Sequence, residues 1–220
     1  MNTVFLILFF VFTFWHLVDS WRNDAGRRAM TKPFPLLLLT LYYCFTADPI
    51  SWLLVAALLT SWLGDVLLIP KGHKWFRIGG RSFLISHILF ILVYIPAIDF
   101  SRIPWLLIVP LAAIYIAVSL AIIKAIKPTT PEAMVKPMYY YLLTNSTMNI
   151  FALMQLLTVR NLAGIVAYAG AILFFISDCT LFLVRYHGNK DLIFKKHFTV
   201  MLTYLFGELF ITLGILMLAA

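Results

Sequence analysis

Long apolar segments recur along the whole of this chain, and they limit its fold more than any other feature. A helix that crosses the hydrocarbon core of a bilayer needs about 17–25 mostly apolar residues. Only 12% of the 220 residues are charged, against about 25% in soluble domains. We therefore expect an all-α polytopic membrane protein: residues 1–220 form a single integral membrane domain, a bundle of eight transmembrane helices. The predicted spans are about 2–21, 32–47, 50–69, 81–98, 103–123, 137–158, 161–184 and 197–219.

The basic residues predict the orientation of this bundle. Fifteen of the 17 lysines and arginines fall between spans 1 and 2, 3 and 4, 5 and 6, or 7 and 8, whereas Arg102 and Arg160 fall on the other side. The positive-inside rule places the fifteen in the cytoplasm, so Met1 and Ala220 are both expected on the non-cytoplasmic side. We expect a bacterial cytoplasmic (inner) membrane protein, whose net charge of +8 meets anionic lipid headgroups rather than nucleic acid.

The two halves of the chain resemble each other faintly. "TKPFPLLLL" opens span 2 and "VKPMYYYLL" opens span 6, while "SWLGD" in span 3 corresponds to "ISD" in span 7. Halves of four spans each would share one orientation, which is the arrangement of two parallel four-helix repeats. Lys-Pro is also an ordinary start for a helix at the membrane interface, so the sequence leaves both interpretations open.

Ionisable side chains fall well inside spans 3, 4, 7 and 8, where a charge is costly and a functional role is the first interpretation. Asp65, His87 and Asp178 lie ~7–10 Å from the cytoplasmic ends of spans 3, 4 and 7, at about 1.5 Å per residue. Glu208 lies about halfway along span 8. We expect Asp65 and Asp178 to line one site at the inner leaflet. For His87, a packed and hydrogen-bonded core residue is the alternative.

Polar residues at helical spacing accompany these groups. Residues four apart lie on one helix face, and such a polar stripe should face the bundle interior or a wet cavity. For Asn145 and Asn149, hydrogen bonding between helices is the structural alternative. Lys32, at the mouth of span 2, either joins the site or extends to the headgroups. The supporting residues predicted for the site are His87, Glu208, Tyr204, Ser61, Asn145 and Asn149.

Five stretches resemble, in order, the YhhN-like transmembrane family, which includes the lysoplasmalogenases: "KPFPLLLL", "TSWLGDVLLI", "FRIGGRSFLISHILFILVYI", "FFISDCTLFLVRY" and "TYLFGELFITLG". The resemblance covers about residues 31–214. It implies an eight-helix membrane hydrolase that cleaves the vinyl ether bond of a lysoplasmalogen to a fatty aldehyde and glycerophospho-ethanolamine or -choline. The family commonly has an amide where this chain has Glu208. The family's polar positions fall on Lys32, Asp65, His87, Asp178 and Tyr204.

The residues also fit that chemistry when they are considered without the resemblance. Vinyl ether hydrolysis begins with proton transfer to carbon, which gives an oxocarbenium-like cation; water then adds and the hemiacetal collapses. Two buried carboxylates, Asp65 and Asp178, can act as catalytic acid and base when their pKa values differ. Lys32, Arg77 and Arg81 are expected to hold the substrate phosphate. The reaction needs no cofactor or metal, and the expected partners are a lysophospholipid substrate and membrane lipids, with no obligate protein partner.

Three other functions use the same residues. Intramembrane acids also serve as proton relays, so a proton-coupled transporter of a small molecule or lipid is the main alternative. A metal-dependent membrane lipid hydrolase would use Asp65, His87 and Asp178 as ligands. A lipid-binding or sensing protein without catalysis is the third. Aldehyde release by the purified protein would separate a hydrolase from a carrier and from a sensor.

Overall fold

The computed structural model of this chain describes residues 2–219, which are helical throughout with short connections and contain no strand. The all-α prediction is therefore confirmed for this range, and the positions predicted for Met1 and Ala220 lie outside the described residues. The helices are α1 (Asn2–Trp21), α2 (Ala25–Thr31), α3 (Phe34–Thr46), α4 (Trp52–Leu67), α5 (His73–Tyr94), α6 (Trp105–Ile126), α7 (Glu132–Val159), α8 (Leu162–Tyr186) and α9 (His197–Ala219).

Each of the eight predicted spans overlaps one of these helices. Within residues 2–219, six helices are long and apolar enough to cross a bilayer: α1, α5, α6, α7, α8 and α9. Helices α3 and α4 have 13 and 16 residues. At about 1.5 Å per residue they reach only ~20 and ~24 Å, less than a hydrocarbon core of about 30 Å. Length and composition thus establish an integral multi-pass protein with six candidate crossings.

The largest differences from the prediction concern helices α2 and α5. Helix α2 was expected to be part of a loop, but Asp24 caps its N-terminus, because the side chain accepts a hydrogen bond of 3.1 Å from the Arg27 N–H. Helix α5 begins eight residues before the predicted start, at His73. Arg77 therefore lies within a helix rather than in a loop. The helix can continue beyond the apolar segment because its cationic side chains reach the membrane interface.

The surface of the bundle carries many large apolar side chains, and its interior contains polar side chains beside an apolar core. Leu106 is 97% exposed, Trp52 71% and Phe14 70%, whereas the buried set contains acids, histidines, amides and hydroxyls. A soluble protein would not present such side chains to water on every outer helix, but lipid solvates them. The polar interior therefore needs partners within the bundle or in its cavities.

Small residues hold α8 against α9. A Cβ atom added at Gly170 would lie 2.5 Å from the backbone nitrogen of Ile211 and 2.6 Å from the carbonyl oxygen of Gly207. The two backbones are thus in direct contact, as in other membrane helix pairs with small residues at the interface. This contact fixes Asp178, on α8, relative to Tyr204 on α9.

Helices α4 and α5 form the other closely packed pair. Gly64 lies at their contact, where a Cβ atom added at Gly79 of α5 would be 3.3 Å from the Gly64 carbonyl oxygen. A Cβ atom at Gly64 would lie 2.5 Å from the ring of Phe83 on α5. The pairs α4/α5 and α8/α9 hold corresponding places in the two halves of the chain. The internal repeat itself stays a prediction.

Candidate functional site

A cavity of about 330 Å³ lies at the end of the bundle where three basic connections converge. We call it the acid cavity, because Asp65 of α4 and Asp178 of α8 both line it. Its wall also includes parts of α1, α2, the connection at residues 68–72, and the first turns of α9. The structure therefore brings two carboxylates from different helices to one space close to charged loops.

Asp65 is 2% exposed, and its two oxygens have different partners. The Tyr204 hydroxyl donates a hydrogen bond of 2.9 Å to Oδ2, and the Lys32 Nζ lies 3.3 Å from Oδ1. Lys32 lies at the break between α2 and α3, where its side chain is 15% exposed. An ammonium group and a hydroxyl together offset the charge of an ionised Asp65. Lys32 thus reaches into the site.

Asp178 is also buried, and its polar partners are an amide and an imidazole. The Asn145 amide donates a hydrogen bond of 2.8 Å to Oδ2. The His87 Nε2 lies 3.1 Å from the same oxygen, although neither ring nitrogen makes a hydrogen bond of standard geometry within residues 2–219. Asn149 donates to the backbone and side-chain oxygens of Asn145, both at 3.1 Å. The amide ladder on α7 therefore orients Asn145 toward Asp178.

Aromatic rings enclose the two carboxylates. The Tyr204 ring packs edge-on against Phe83 and Phe174, with centroids 5.8 and 5.3 Å apart. The His87 ring packs edge-on against Tyr141 at 5.2 Å. These contacts restrict the rotamers of Tyr204 and His87, so the groups that contact the acids are held in place by packing.

The sequence did not identify most of the cationic wall of the acid cavity. The Arg185 guanidinium lies 3.8 Å from the centre of the Phe76 ring. His16 is buried, and its Nδ1 lies 2.8 Å from the Thr31 hydroxyl. In the sequence, such residues could have been recognised as basic residues that lie within about one turn of a predicted span end, on the side of the membrane that is rich in cations. Besides Lys32, the basic and imidazole residues of this wall are His16, Arg28, Lys71, Arg185 and His197.

The structure does not place Arg77 and Arg81 with Lys32. Both arginines line a second cavity of about 270 Å³, together with Lys136. Four side chains line both cavities and form a wall between them: Leu68, Phe76, Phe83 and Leu181. The three residues predicted to hold one phosphate thus divide between two neighbouring cavities.

Ser61 and Glu208 lie outside the linings of both cavities. The Ser61 hydroxyl lies 2.6 Å from that of Ser86, which also donates a hydrogen bond of 2.9 Å to the Ala57 carbonyl. Glu208 is fully buried, and neither carboxyl oxygen makes a hydrogen bond within residues 2–219. Glu208 therefore does not contact the space that Asp65 and Asp178 share.

The described residues contain no group of three histidine, cysteine, aspartate or glutamate side chains that could hold a metal ion. The three ligands considered in the metal-dependent alternative divide into two sets. His87 contacts Asp178, whereas Asp65 contacts Lys32 and Tyr204. The arrangement therefore does not bring these three side chains together as one set of ligands.

Fold and site together define an integral, multi-pass α-helical membrane protein with a buried pair of carboxylates at one end of its bundle. The model of the YhhN family matches residues 27–215, and the chain belongs to that family. The family expected from the sequence motifs is thus confirmed.

Three curated relatives carry the name uncharacterized membrane protein YhhN, from Escherichia coli O6:H1, Escherichia coli O157:H7 and Shigella flexneri. Each is 38% identical to this chain over 84 residues, which cover 36% of this chain and 39% of the relative. The chain therefore matches about two fifths of the length of these relatives. No solved structure matches it at a significant level.

Proposed function

We propose that this protein is a membrane-embedded hydrolase that cleaves the vinyl ether bond of lysoplasmalogens, or of a closely related lysolipid. The observation that carries the proposal is the shared cavity: Asp65 and Asp178 both line it, and each has a different set of partners. Family membership supports a membrane protein of the YhhN type. The reaction itself is inferred from the chemistry of the site and from the resemblance of the motifs.

The reaction adds one water molecule across the bond. A carboxylic acid transfers its proton to the alkenyl carbon distant from oxygen, which leaves an oxocarbenium ion. Water adds to the cationic carbon and loses a proton to the carboxylate just formed. The resulting hemiacetal collapses, so that the carbon–oxygen bond to glycerol breaks. The products are a fatty aldehyde and a glycerophospho-alcohol, and the acid is regenerated for the next turnover.

The two aspartates can divide this work. The ammonium of Lys32 and the hydroxyl of Tyr204 stabilise a charged Asp65, so we assign to Asp65 the carboxylate that stabilises the cation. We assign proton transfer to Asp178, whose partners are an amide and an imidazole. The cationic wall of the acid cavity would hold the phosphate of the headgroup, with Arg28 and Arg185 added to Lys32.

The proposal includes the topology. We propose that α3 and α4 also cross the membrane, which gives eight spans. Turn or irregular residues flank both helices, and they lengthen the segment that can span the hydrocarbon core. The basic connections lie in the cytoplasm, the membrane is the bacterial inner membrane, and the acid cavity then faces the inner leaflet.

Aldehyde release tests the proposed activity directly. The purified protein in detergent is given a lysoplasmalogen, and the aldehyde is followed through a coupled alcohol dehydrogenase. We expect Asp65→Asn and Asp178→Asn each to lower turnover by at least ~100-fold, which is the lower range for general acid–base catalysis. His87→Ala should lower it less than either, because His87 acts by orienting Asp178.

The matched control is Asp191→Asn, because the Asp191 side chain is 94% exposed and lies outside both cavities. This variant should keep full turnover. Near-normal aldehyde release by a monodisperse Asp65→Asn or Asp178→Asn protein contradicts the paired-carboxylate mechanism. Loss of wild-type activity with a chelator would favour the metal-dependent alternative, and release of no aldehyde would favour the transporter or the lipid-binding protein without catalysis.

A further inference from the structure

The second cavity has the two chemical features of a single-chain phospholipid site. We call it the portal cavity. Apolar side chains of α5, α7 and α8 line its interior, among them Leu84, Met134 and Met138. Its basic residues are Arg77, Arg81 and Lys136, all exposed. An apolar space beside several cations complements a hydrocarbon chain attached to a phosphate.

The edge of α5 that borders this cavity faces lipid. Ile85 and Ile88 follow Arg81 by one and two turns, and they are 50% and 46% exposed. Tyr140, which also lines the portal cavity, is 67% exposed. Exposed tyrosine and cationic side chains are typical of the membrane interface. The cavity therefore opens between α5 and α7 near the headgroups of the leaflet on the basic side.

The portal cavity adjoins the acid cavity. Phe76 and Phe83 line both cavities, so the two spaces meet at these side chains. The acid cavity itself contains Arg28, Lys71 and Arg185 among its wall residues. A long alkenyl chain that arrived past those charged groups from water would expose its methylenes to solvent, which is unfavourable. A lateral route between α5 and α7 avoids that exposure.

We infer that the portal cavity is a lateral access site for a single-chain phospholipid. The hydrocarbon chain lies in the cavity, and the phosphate contacts Arg77, Arg81 and Lys136. The lipid then passes the wall at Phe76 and Phe83 to reach the carboxylates. The inference rests on the proposed function for its last step only. A volume of about 270 Å³, below the ~300–1,000 Å³ of pockets for drug-sized ligands, has room for part of one chain and not for two.

Gly80 allows the site to be blocked without disturbing the backbone. It lines the portal cavity, and a Cβ atom added there would meet no other atom within 4 Å. Leucine is also a better helix former than glycine. We compare kcat/KM for a hexadecenyl substrate with kcat/KM for a butenyl substrate. The ratio of the first to the second should fall at least tenfold in Gly80→Leu and further in Gly80→Trp, because the short chain needs less of the portal cavity.

The control is Gly188→Leu. Gly188 also has open space around its Cβ position, but it lies outside both cavities, so both substrates should keep their wild-type kcat/KM. An unchanged ratio in a monodisperse Gly80→Trp protein overturns the inference.

A binding experiment separates this inference from the proposed activity. A lysophosphatidylethanolamine with a diazirine at the end of its acyl chain is photo-crosslinked to the protein, and the adducts are mapped by mass spectrometry. We expect adducts at Leu84, Met134 or Met138, reduced at least fivefold in Gly80→Trp. Adducts confined to the outer faces of α1 and α6 would overturn the portal. Portal adducts in a protein that releases no aldehyde would leave the portal standing and refute the hydrolase.

Discussion

Removal of the Lys32 charge tests whether the buried ion pair with Asp65 is real. The Nζ–Oδ1 distance of 3.3 Å corresponds to about 5 kcal/mol of attraction at an effective dielectric constant of about 20. Breaking a buried pair by removal of one partner costs about 3–5 kcal/mol, because the other charge stays buried without compensation. Lys32→Met should therefore lower the free energy of unfolding by about 3–5 kcal/mol.

The double variant Lys32→Met/Asp65→Asn removes both charges, so its free energy of unfolding should return to within about 1 kcal/mol of the wild type. Unfolding is measured by titration with sodium dodecyl sulfate in mixed micelles, with circular dichroism as the signal.

Lys196→Met is the matched control. The pair between Lys196 and Asp191 also measures 3.3 Å, but its side chains are 42% and 94% exposed. Its loss should cost less than about 1 kcal/mol. Two results would contradict this reasoning: a loss of unfolding free energy in Lys32→Met no larger than that in Lys196→Met, or a double variant as unstable as Lys32→Met. Either result would mean that the ion pair makes no net contribution to stability and that Lys32 extends to the headgroups.

Three further predictions concern the site and the topology. Tyr204→Phe keeps the ring between Phe83 and Phe174 but removes the donor to Asp65, so turnover should fall about 10–100-fold, as expected for loss of ~1.5–3 kcal/mol; unchanged turnover would exclude a role for the hydroxyl. Glu208→Gln should preserve the fold and keep turnover close to that of the wild type, because the Glu208 carboxyl makes no hydrogen bond within residues 2–219 and lies outside the acid cavity; a large loss of turnover in a monodisperse Glu208→Gln protein would contradict this. In a chain without Cys44 and Cys179, cysteines at 48, 100 and 160 should react with an impermeant maleimide outside intact cells, whereas reaction at 73 or 190 instead would invert the proposed orientation.

The helices of this protein could be predicted from the sequence because apolar length is a local property. A run such as residues 103–123 is too long and too apolar to be anything but a membrane helix, and α6 is found at Trp105–Ile126. The start of α5 could not be predicted in the same way. Its first two turns are basic, and hydropathy does not distinguish a loop from a helix that extends into the interface.

The candidate site was only partly predictable, because its partners come from distant parts of the chain. Helical spacing identified polar faces, such as the one with Asn145 and Asn149, but it could not show that Asn145 would contact Asp178. Tyr204 and Asp65 are 139 residues apart, and a single sequence contains no signal for that contact. Arg185 was counted among the basic residues that set the topology, and only the fold places it in the acid cavity.

The partners of Asp65 indicate why a membrane helix retains a carboxylate. An aspartate at the centre of a span costs about 2.5–3.5 kcal/mol on insertion scales, and an amide would join helices at lower cost. Lys32 and Tyr204 offset the charge, but they do so from the wall of a cavity that Asp178 also lines. If the ion pair served stability alone, a core without this cavity would be at least as stable, since replacement of a buried pair by packed apolar residues is often neutral or stabilising. A carboxylate that is compensated and still borders a cavity is suited to act on a molecule that enters it.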